Sequence, residues 1–329
     1  METHEFSVGI VGLGLMGCSI ATCLLIAGHR VVAIAPIDSD LENAERRIKE
    51  HLISSKEHAL LNEPIIDIEK RLNITNRYEA LASCKIVIEC TIEDQEIKKV
   101  VIGKIESAVS EDSILASNTS AIPISILQTF CRKPDRFFGL HWTEPAHTTR
   151  FLEIICGEKS NPILADFLYE LAHRWKKEPI LVRKDIEGFI TNRLMYAMFR
   201  EAIYLVENGY ASVSDIDRSC RNNAGYYMTF VGVFRWMDLT GVLAYHNVMK
   251  NLLPTLCNNK EVPKLIDDIV RKGGKGVANS KGFYEYEPGE AAMWEETFKQ
   301  FTYEIRELAL RYPEDVVKKK LKPLKENGI

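Results

Sequence analysis

The hexapeptide Gly12-Leu13-Gly14-Leu15-Met16-Gly17 follows directly on the apolar run Phe6-Ser7-Val8-Gly9-Ile10-Val11. It opens a second apolar stretch, from about Met16 to Ala27, which stops at Gly28. No other feature limits the possible folds of this chain as tightly. A buried strand, a glycine turn and a helix start in that order let the backbone approach a phosphate closely, and the helix N-terminus favours its charge. The arrangement predicts a dinucleotide-binding βαβ unit, with Gly12, Leu13, Gly14, Leu15, Met16 and Gly17 lining the pyrophosphate.

The rest of the first half fits that prediction. Arg30-Val31-Val32-Ala33-Ile34-Ala35 reads as a second strand, followed by a long polar helix from about Asp40 to Leu61. Lys85–Cys90, Ser113–Ser117, Arg136–Leu140 and Glu178–Val182 read as further strands, with a helix from about Gln95 to Val109. Alternating strands and helices make a parallel sheet covered on both faces. After Asp185 the signals are helical. Phe189 to Asn208 reads as one long helix stopped by Gly209, and Ser214-Asp215-Ile216-Asp217 as an N-cap with acidic residues in the first turn. The expected fold is α/β, a doubly wound Rossmann-type domain over 1–185 followed by an all-α domain over 186–329.

Composition excludes several classes. A net charge of -4 lacks the basic footprint of a nucleic-acid binder. The run Lys318-Lys319-Lys320-Leu321-Lys322 reads as a solvated helix end. No apolar stretch reaches the length of a membrane span, and the acidic start Met1-Glu2-Thr3-His4-Glu5 is no secretory signal. The eight cysteines form no C-x-x-C and fall mostly in apolar stretches, as small buried residues of a reducing cytoplasm do; no metal site is expected.

The chemistry-bearing segment is Gly139-Leu140-His141-Trp142-Thr143-Glu144-Pro145, followed by Phe151-Leu152-Glu153-Ile154-Ile155. It places His141 in a turn after an apolar segment and Glu153 at the head of the next strand. Oxidation of an alcohol by NAD needs an imidazole to take the hydroxyl proton while the nicotinamide takes the hydride. A lone histidine would read as a half-buried structural residue; beside a cofactor motif and a carboxylate it reads as a base. The strand ending at Ala35 and Pro36 lacks the usual acidic ribose ligand, for which Asp38 or Asp40 is a substitute from the next turn. No arginine lies immediately after the strand to hold a 2′-phosphate, so NAD is expected over NADP.

The chain resembles the L-3-hydroxyacyl-CoA dehydrogenase family from the first strand to about Tyr286. The resemblance rests on Gly12–Gly17; Ile88-Glu89 with Glu93 and Lys98; Ser117-Asn118-Thr119-Ser120; Gly139-Leu140-His141 with Glu153; Gly188–Leu194; Asp215-Ile216-Asp217; and Gly282-Phe283-Tyr284. It implies that His141 is the general base in alcohol oxidation and that Glu153 orients it. It implies that Ser120 and Asn192 hydrogen-bond the reacting oxygen or the imidazole, and that Glu93, Lys98 and Ser120 lie along the cofactor. Ser120 also reads as a simple turn serine, Asn192 as the start of the second domain, and Arg193 as a structural ion-pair partner.

Departures from the family pattern fall around the substrate. Glu144 stands where the family carries Asn, so it either favours the imidazolium form of His141 or recognises a hydroxyl or a cation on an unusual substrate. His51 and His58 stand where relatives place a serine and a lysine near CoA. The prolines of a Pro-Met-Gly-Pro-Phe run are lost in Tyr227–Phe234, and Ala278 replaces a lysine near the cofactor. A helical tail past Tyr286 is similar to relatives that oxidise L-gulonate or L-carnitine. The expected activity is therefore NAD-dependent oxidation of a 3-hydroxyacyl-CoA, with a free 3-hydroxy acid as the alternative and a non-catalytic, crystallin-like NAD-binding protein as a third reading. A homodimer is expected through the helical domain, whose apolar series includes Leu194, Met198, Ile203, Leu205 and Val206 beside Tyr226, Tyr227, Phe230, Phe234 and Trp236.

Overall fold

The structure is a computed structural model describing residues 6–313 and 315–326; the N-terminal segment Met1–Glu5 lies outside them. Contacts divide the chain into two compact units, residues 1–193 and 194–329.

The first unit is built on eight strands: β1 Ser7–Val11, β2 Arg30–Ile34, β3 Leu72–Thr75, β4 Cys84–Glu89, β5 Ile114–Ser117, β6 Phe137–His141, β7 Phe151–Cys156 and β8 Glu178–Val182. They form one sheet in the order β3-β2-β1-β4-β5-β6-β7-β8. Its helices are α1 Leu15–Ile26, α2 Asp38–Glu57, α3 Ile65–Glu69, α4 Gln95–Ala108, α5 Ile124–Gln128 and α6 Pro162–Arg174. The strands read as continuous apolar runs because both faces are covered. One face packs Ile10, Ile88 and Leu140 with α1, α2 and α6; the other packs Val11, Val87 and Phe137 with α4 and α5.

Three features differ from the sequence reading. β3 was not foreseen; Leu72–Thr75 is short and half-exposed at the sheet edge, where apolar alternation is weak. The sheet is not wholly parallel, because β6 and β7 pair antiparallel. The segment 142–150 between them is shorter than the dozen or so residues a parallel crossover needs, so the chain must turn back. In consequence His141 is the last residue of β6 rather than part of a turn, and Glu153 lies inside β7 rather than at its head, the two facing each other in register.

The second unit is helical. α7 Thr191–Glu207 leads into it, followed by α8 Val213–Ser219, α9 Gly225–Met228, α10 Gly232–Thr240, α11 Val242–Leu252, α12 Lys264–Arg271, α13 Glu290–Arg311 and α14 Val316–Glu326. The cap of α8 is Ser212, whose hydroxyl accepts from the Asp215 amide, and not Ser214. Large apolar side chains stay exposed in this unit, among them Leu194, Tyr226, Phe234, Leu239 and Leu243. Among the described residues no helix is long and apolar enough to cross a membrane, and the eight cysteines are unpaired.

Candidate active site

The glycine turn has the geometry a pyrophosphate needs. Gly12 has φ +102°, and a Cβ there would meet the Cys90 carbonyl at 2.8 Å. A Cβ on Gly17 would lie 1.8 Å from the Gly12 oxygen, so helix α1 can approach the turn only because Gly17 has none. Gly14 faces open space on its Cβ side, and no acidic side chain stands in the first turn of α1. The exposed first-turn amides thus present partial positive charge to an anion with nothing in competition. Ala35 is buried and supplies no ribose acceptor; α2 starts three residues later, with Asp40 in its first turn.

Where the carboxyl end of β6 meets the amino-terminal half of β7, His141 Nδ1 lies 2.8 Å from Glu153 Oε2. Glu153 is wholly buried. Its other oxygen accepts from the amides of Ile190 and Thr191, at 3.2 and 2.9 Å, and from the Thr191 hydroxyl at 3.2 Å. Burial alone would raise this carboxyl, but the hydrogen bonds from His141 and Thr191 outweigh it and hold the group below the usual carboxylate range. An ionised carboxylate only accepts, so the proton of the neutral imidazole sits on Nδ1 and Nε2 keeps a free lone pair. Phe151 and Phe189 flank the ring, each with its centroid 5.6 Å away. The dyad is a buried, oriented imidazole–carboxylate pair. Phe189 takes a left-handed backbone, φ 53°, next to Gly188 at φ 74°; that turn aims the Ile190 and Thr191 amides at Glu153.

Glu93 organises the loop after β5. One of its oxygens accepts from the Thr119 hydroxyl at 2.5 Å and from the Ser120 and Ala121 amides at 3.0 Å each. Burial raises this carboxyl, and the Thr119 hydroxyl, Lys98 and the two amides bring it below its ordinary range. Lys98, only 1% exposed, donates to both oxygens of Glu89 at 3.0 and 2.9 Å, and its Nζ stands 3.6 Å from Glu93. Asn192 donates from Nδ2 to the Ser120 carbonyl at 2.6 Å, which brings those two residues together. Arg193 donates to the Glu187 carbonyl at 3.4 Å.

Sequence reasoning missed four contributors. Asn118 Oδ1 accepts from the Trp142 amide at 2.9 Å and so ties the loop after β5 to the residue following His141. Glu89 also accepts from Ser117 at 2.5 Å and from the Thr91 amide at 2.6 Å. Ser19 accepts from the Ala146 amide at 2.7 Å. Lys177 donates to the carbonyls of Ala146 and Thr149. Asn118 and Glu89 stood inside recognised motifs; Ser19 and Lys177 carried no signal.

Comparison with known proteins agrees with this geometry. The family model for the NAD-binding domain of 3-hydroxyacyl-CoA dehydrogenase matches residues 7–186, and that for its C-terminal domain matches residues 188–286. The chain belongs to the 3-hydroxyacyl-CoA dehydrogenase family. It is an NAD-dependent oxidoreductase acting on a CH–OH group. A relative from Mesorhizobium japonicum, 5-formyl-3-hydroxy-2-methylpyridine 4-carboxylate 5-dehydrogenase, is 30% identical over 86% of this chain and 91% of its own. A solved structure of an enzyme of that activity, described as an NAD+-dependent dismutase, superposes with a TM-score of 0.87 at 27% identity, covering 93% of this chain and 99% of the other. The (S)-3-hydroxybutyryl-CoA dehydrogenase of Ralstonia eutropha superposes at 0.71 with 28% identity, over 85% and 99%.

Proposed function

We propose that this dehydrogenase oxidises a secondary alcohol of the 3-hydroxyacyl type with His141 as general base. The observation that carries the reading is the in-register pair of His141 and ionised Glu153, which leaves Nε2 as the proton acceptor. As the carbinol C–H bond breaks, its hydrogen leaves with both electrons, the O–H proton passes to Nε2, and the carbonyl forms. NAD, held at residues 12–17, supplies the hydride acceptor. Glu153 stabilises the imidazolium produced, and in ketone reduction the same imidazolium returns the proton. Ser120 and Asn192 hold the reacting oxygen; Glu93 and Lys98 set the loop that bears Ser120 beside the cofactor.

The simplest substrate is a 3-hydroxyacyl-CoA, in line with relatives such as the probable 3-hydroxybutyryl-CoA dehydrogenase of Deinococcus radiodurans, 29% identical over 84% of this chain. A second reading, a small free acid, is favoured by the superposition at 0.87 on an enzyme whose name specifies a pyridine carboxylic acid. NADH oxidation with acetoacetyl-CoA and NAD reduction with free hydroxy acids test both. A wild-type chain that binds NADH yet turns over no substrate would instead support a crystallin-like role.

The domain over residues 1–185 serves the cofactor, and 186–329 serves the substrate and a homodimer. Supporting the dimer, the large apolar side chains of Leu194, Tyr226, Phe234 and Leu243 are exposed, and an interface between two copies would cover such residues. Light scattering at micromolar concentration should give about twice 37.4 kDa; a mass near 37.4 kDa refutes the dimer. Unpaired cysteines support a cytoplasmic location.

A further inference from the structure

Glu144 lies three residues beyond His141 on the segment joining β6 and β7. Ser19 and the Ala146 amide stand near its carboxyl, whose Oε2 is buried and makes no hydrogen bond. The surroundings hold the group in place. Ser19 Oγ bridges the Ala146 amide at 2.7 Å and His147 Nδ1 at 3.0 Å. The His147 ring stacks on that of His51 with centroids 4.4 Å apart. Thr22 gives its hydroxyl proton to the Cys18 carbonyl at 2.8 Å, which leaves its oxygen as acceptor towards His51 Nδ1 at 3.4 Å. Lys177 fastens the carbonyls of Ala146 and Thr149. Two helices and a lysine thus fix a carboxyl whose second oxygen is left without a partner, and such a group is destabilising until a ligand supplies one.

The chemistry of that partner is constrained. Around its carbinol a 3-hydroxyacyl thioester offers apolar carbons, a carbonyl oxygen and a sulfur; apart from the reacting hydroxyl, which His141 takes, it has nothing to give a carboxylate. A free hydroxy acid with a second hydroxyl, or with a cationic nitrogen, has such a group a few bonds from the carbinol. Three extended residues span no more than about 11 Å, so the distance from base to carboxyl suits a small molecule.

We propose that Glu144 is a specificity-determining residue that selects a small free substrate carrying a second hydroxyl or a cationic group near the carbinol, in preference to a CoA thioester. This rests on the reading of His141 as the base. Burial pushes Glu144 up to about 7, Ser19 and Ala146 opposing it only in part, and a hydroxyl or cation donating to Oε2 favours the ionised form that accepts it.

The test compares kcat/KM for L-gulonate, L-carnitine and 3-hydroxybutyryl-CoA in the wild type, Glu144→Asn, Glu144→Gln and His141→Gln, with Kd for NADH measured on each. The wild type should prefer one free acid over the thioester, L-gulonate if the group held is a hydroxyl and L-carnitine if it is a cation. Glu144→Asn should shrink that preference at least tenfold, mainly through KM, with Kd for NADH unchanged; Glu144→Gln should shrink it less. A wild type that prefers the thioester, or a ranking indifferent to Glu144→Asn, overturns the proposal. So does a tenfold loss of NADH affinity with the ranking intact, which would assign Oε2 to the cofactor. His141→Gln separates the two levels, because normal turnover in that variant would overturn the base and not merely the selectivity.

Discussion

Replacing Glu153 by Gln changes one atom of the dyad, and its effect can be worked out from the hydrogen bonds. The Oε1 position accepts three donors, the Ile190 and Thr191 amides and the Thr191 hydroxyl. A glutamine must therefore place its carbonyl oxygen there, since its NH2 group would face those donors head-on. The NH2 group then occupies the Oε2 position, 2.8 Å from His141 Nδ1. Two donors cannot share that contact, so the imidazole changes tautomer and carries its proton on Nε2, the atom meant to receive one. Loss of the charge-assisted bond to the imidazolium costs about 1.5–3 kcal/mol, or roughly one to two powers of ten in rate. The wrong tautomer adds to this, and the comparable change in a serine protease triad lowers kcat about 10⁴-fold. Single-turnover absorbance at 340 nm should thus fall by about 10² to 10⁴, with Kd for NADH within twofold of wild type. A rate within tenfold of wild type would refute the tautomer argument. Stability should follow the pH sign of a lowered carboxyl. The native pKa of Glu153 lies below the unfolded one, so its contribution is present above the unfolded value and lost as pH falls through the folded value. The variant should melt below wild type at pH 7 and approach it in acid.

Lys98→Met strands two carboxylates, Glu89 and Glu93, and should cost about 3–5 kcal/mol, lowering Tm by roughly 6–20 °C; adding Glu89→Gln should recover part of it, and a shift under 2 °C would show the pair to be inert. Glu144 has the opposite sign to Glu153. Its folded pKa of about 7 exceeds the ordinary 4.5 of a glutamate, so its native state binds the extra proton and stability declines as pH rises between those values. Glu144→Gln should gain about 1–2 kcal/mol on wild type at pH 8 relative to pH 4, discounted for partial solvation, and equal melting differences at both pH values would contradict the burial. With Ala35 buried and no arginine immediately after it, catalytic efficiency with NADPH should be at least tenfold below that with NADH; parity would show a 2′-phosphate site elsewhere.

Local chemistry made the cofactor half legible. The glycines of residues 12–17 sit between an apolar strand and an apolar helix, and each constraint involves neighbours in sequence. His141 and Glu153 were legible as residues but not as a geometry. Their pairing depends on β7 running back along β6, which follows from the length of the link between them rather than from either strand. Beside His141, the donors that keep Glu153 ionised are the backbone amide and hydroxyl of Thr191, which no local pattern signals. Glu93 and Lys98 stood in a motif, yet their bonds to Thr119 and Glu89 arise only when β4 and β5 lie side by side. Ser19, His51, Glu144 and His147 are brought together from two helices and a loop, and no local pattern joins them. In the helical unit, apolar spacing marks helix faces equally well whether they meet their own chain or a second copy.

The central claim is that His141 Nε2 takes the substrate proton as hydride leaves for NAD. Single-turnover hydride transfer in His141→Gln, at saturating NAD and substrate, tests it most directly. The account predicts a rate at least about a hundredfold below wild type, with NADH binding unchanged. A variant that transfers hydride within tenfold of wild type would place the base elsewhere.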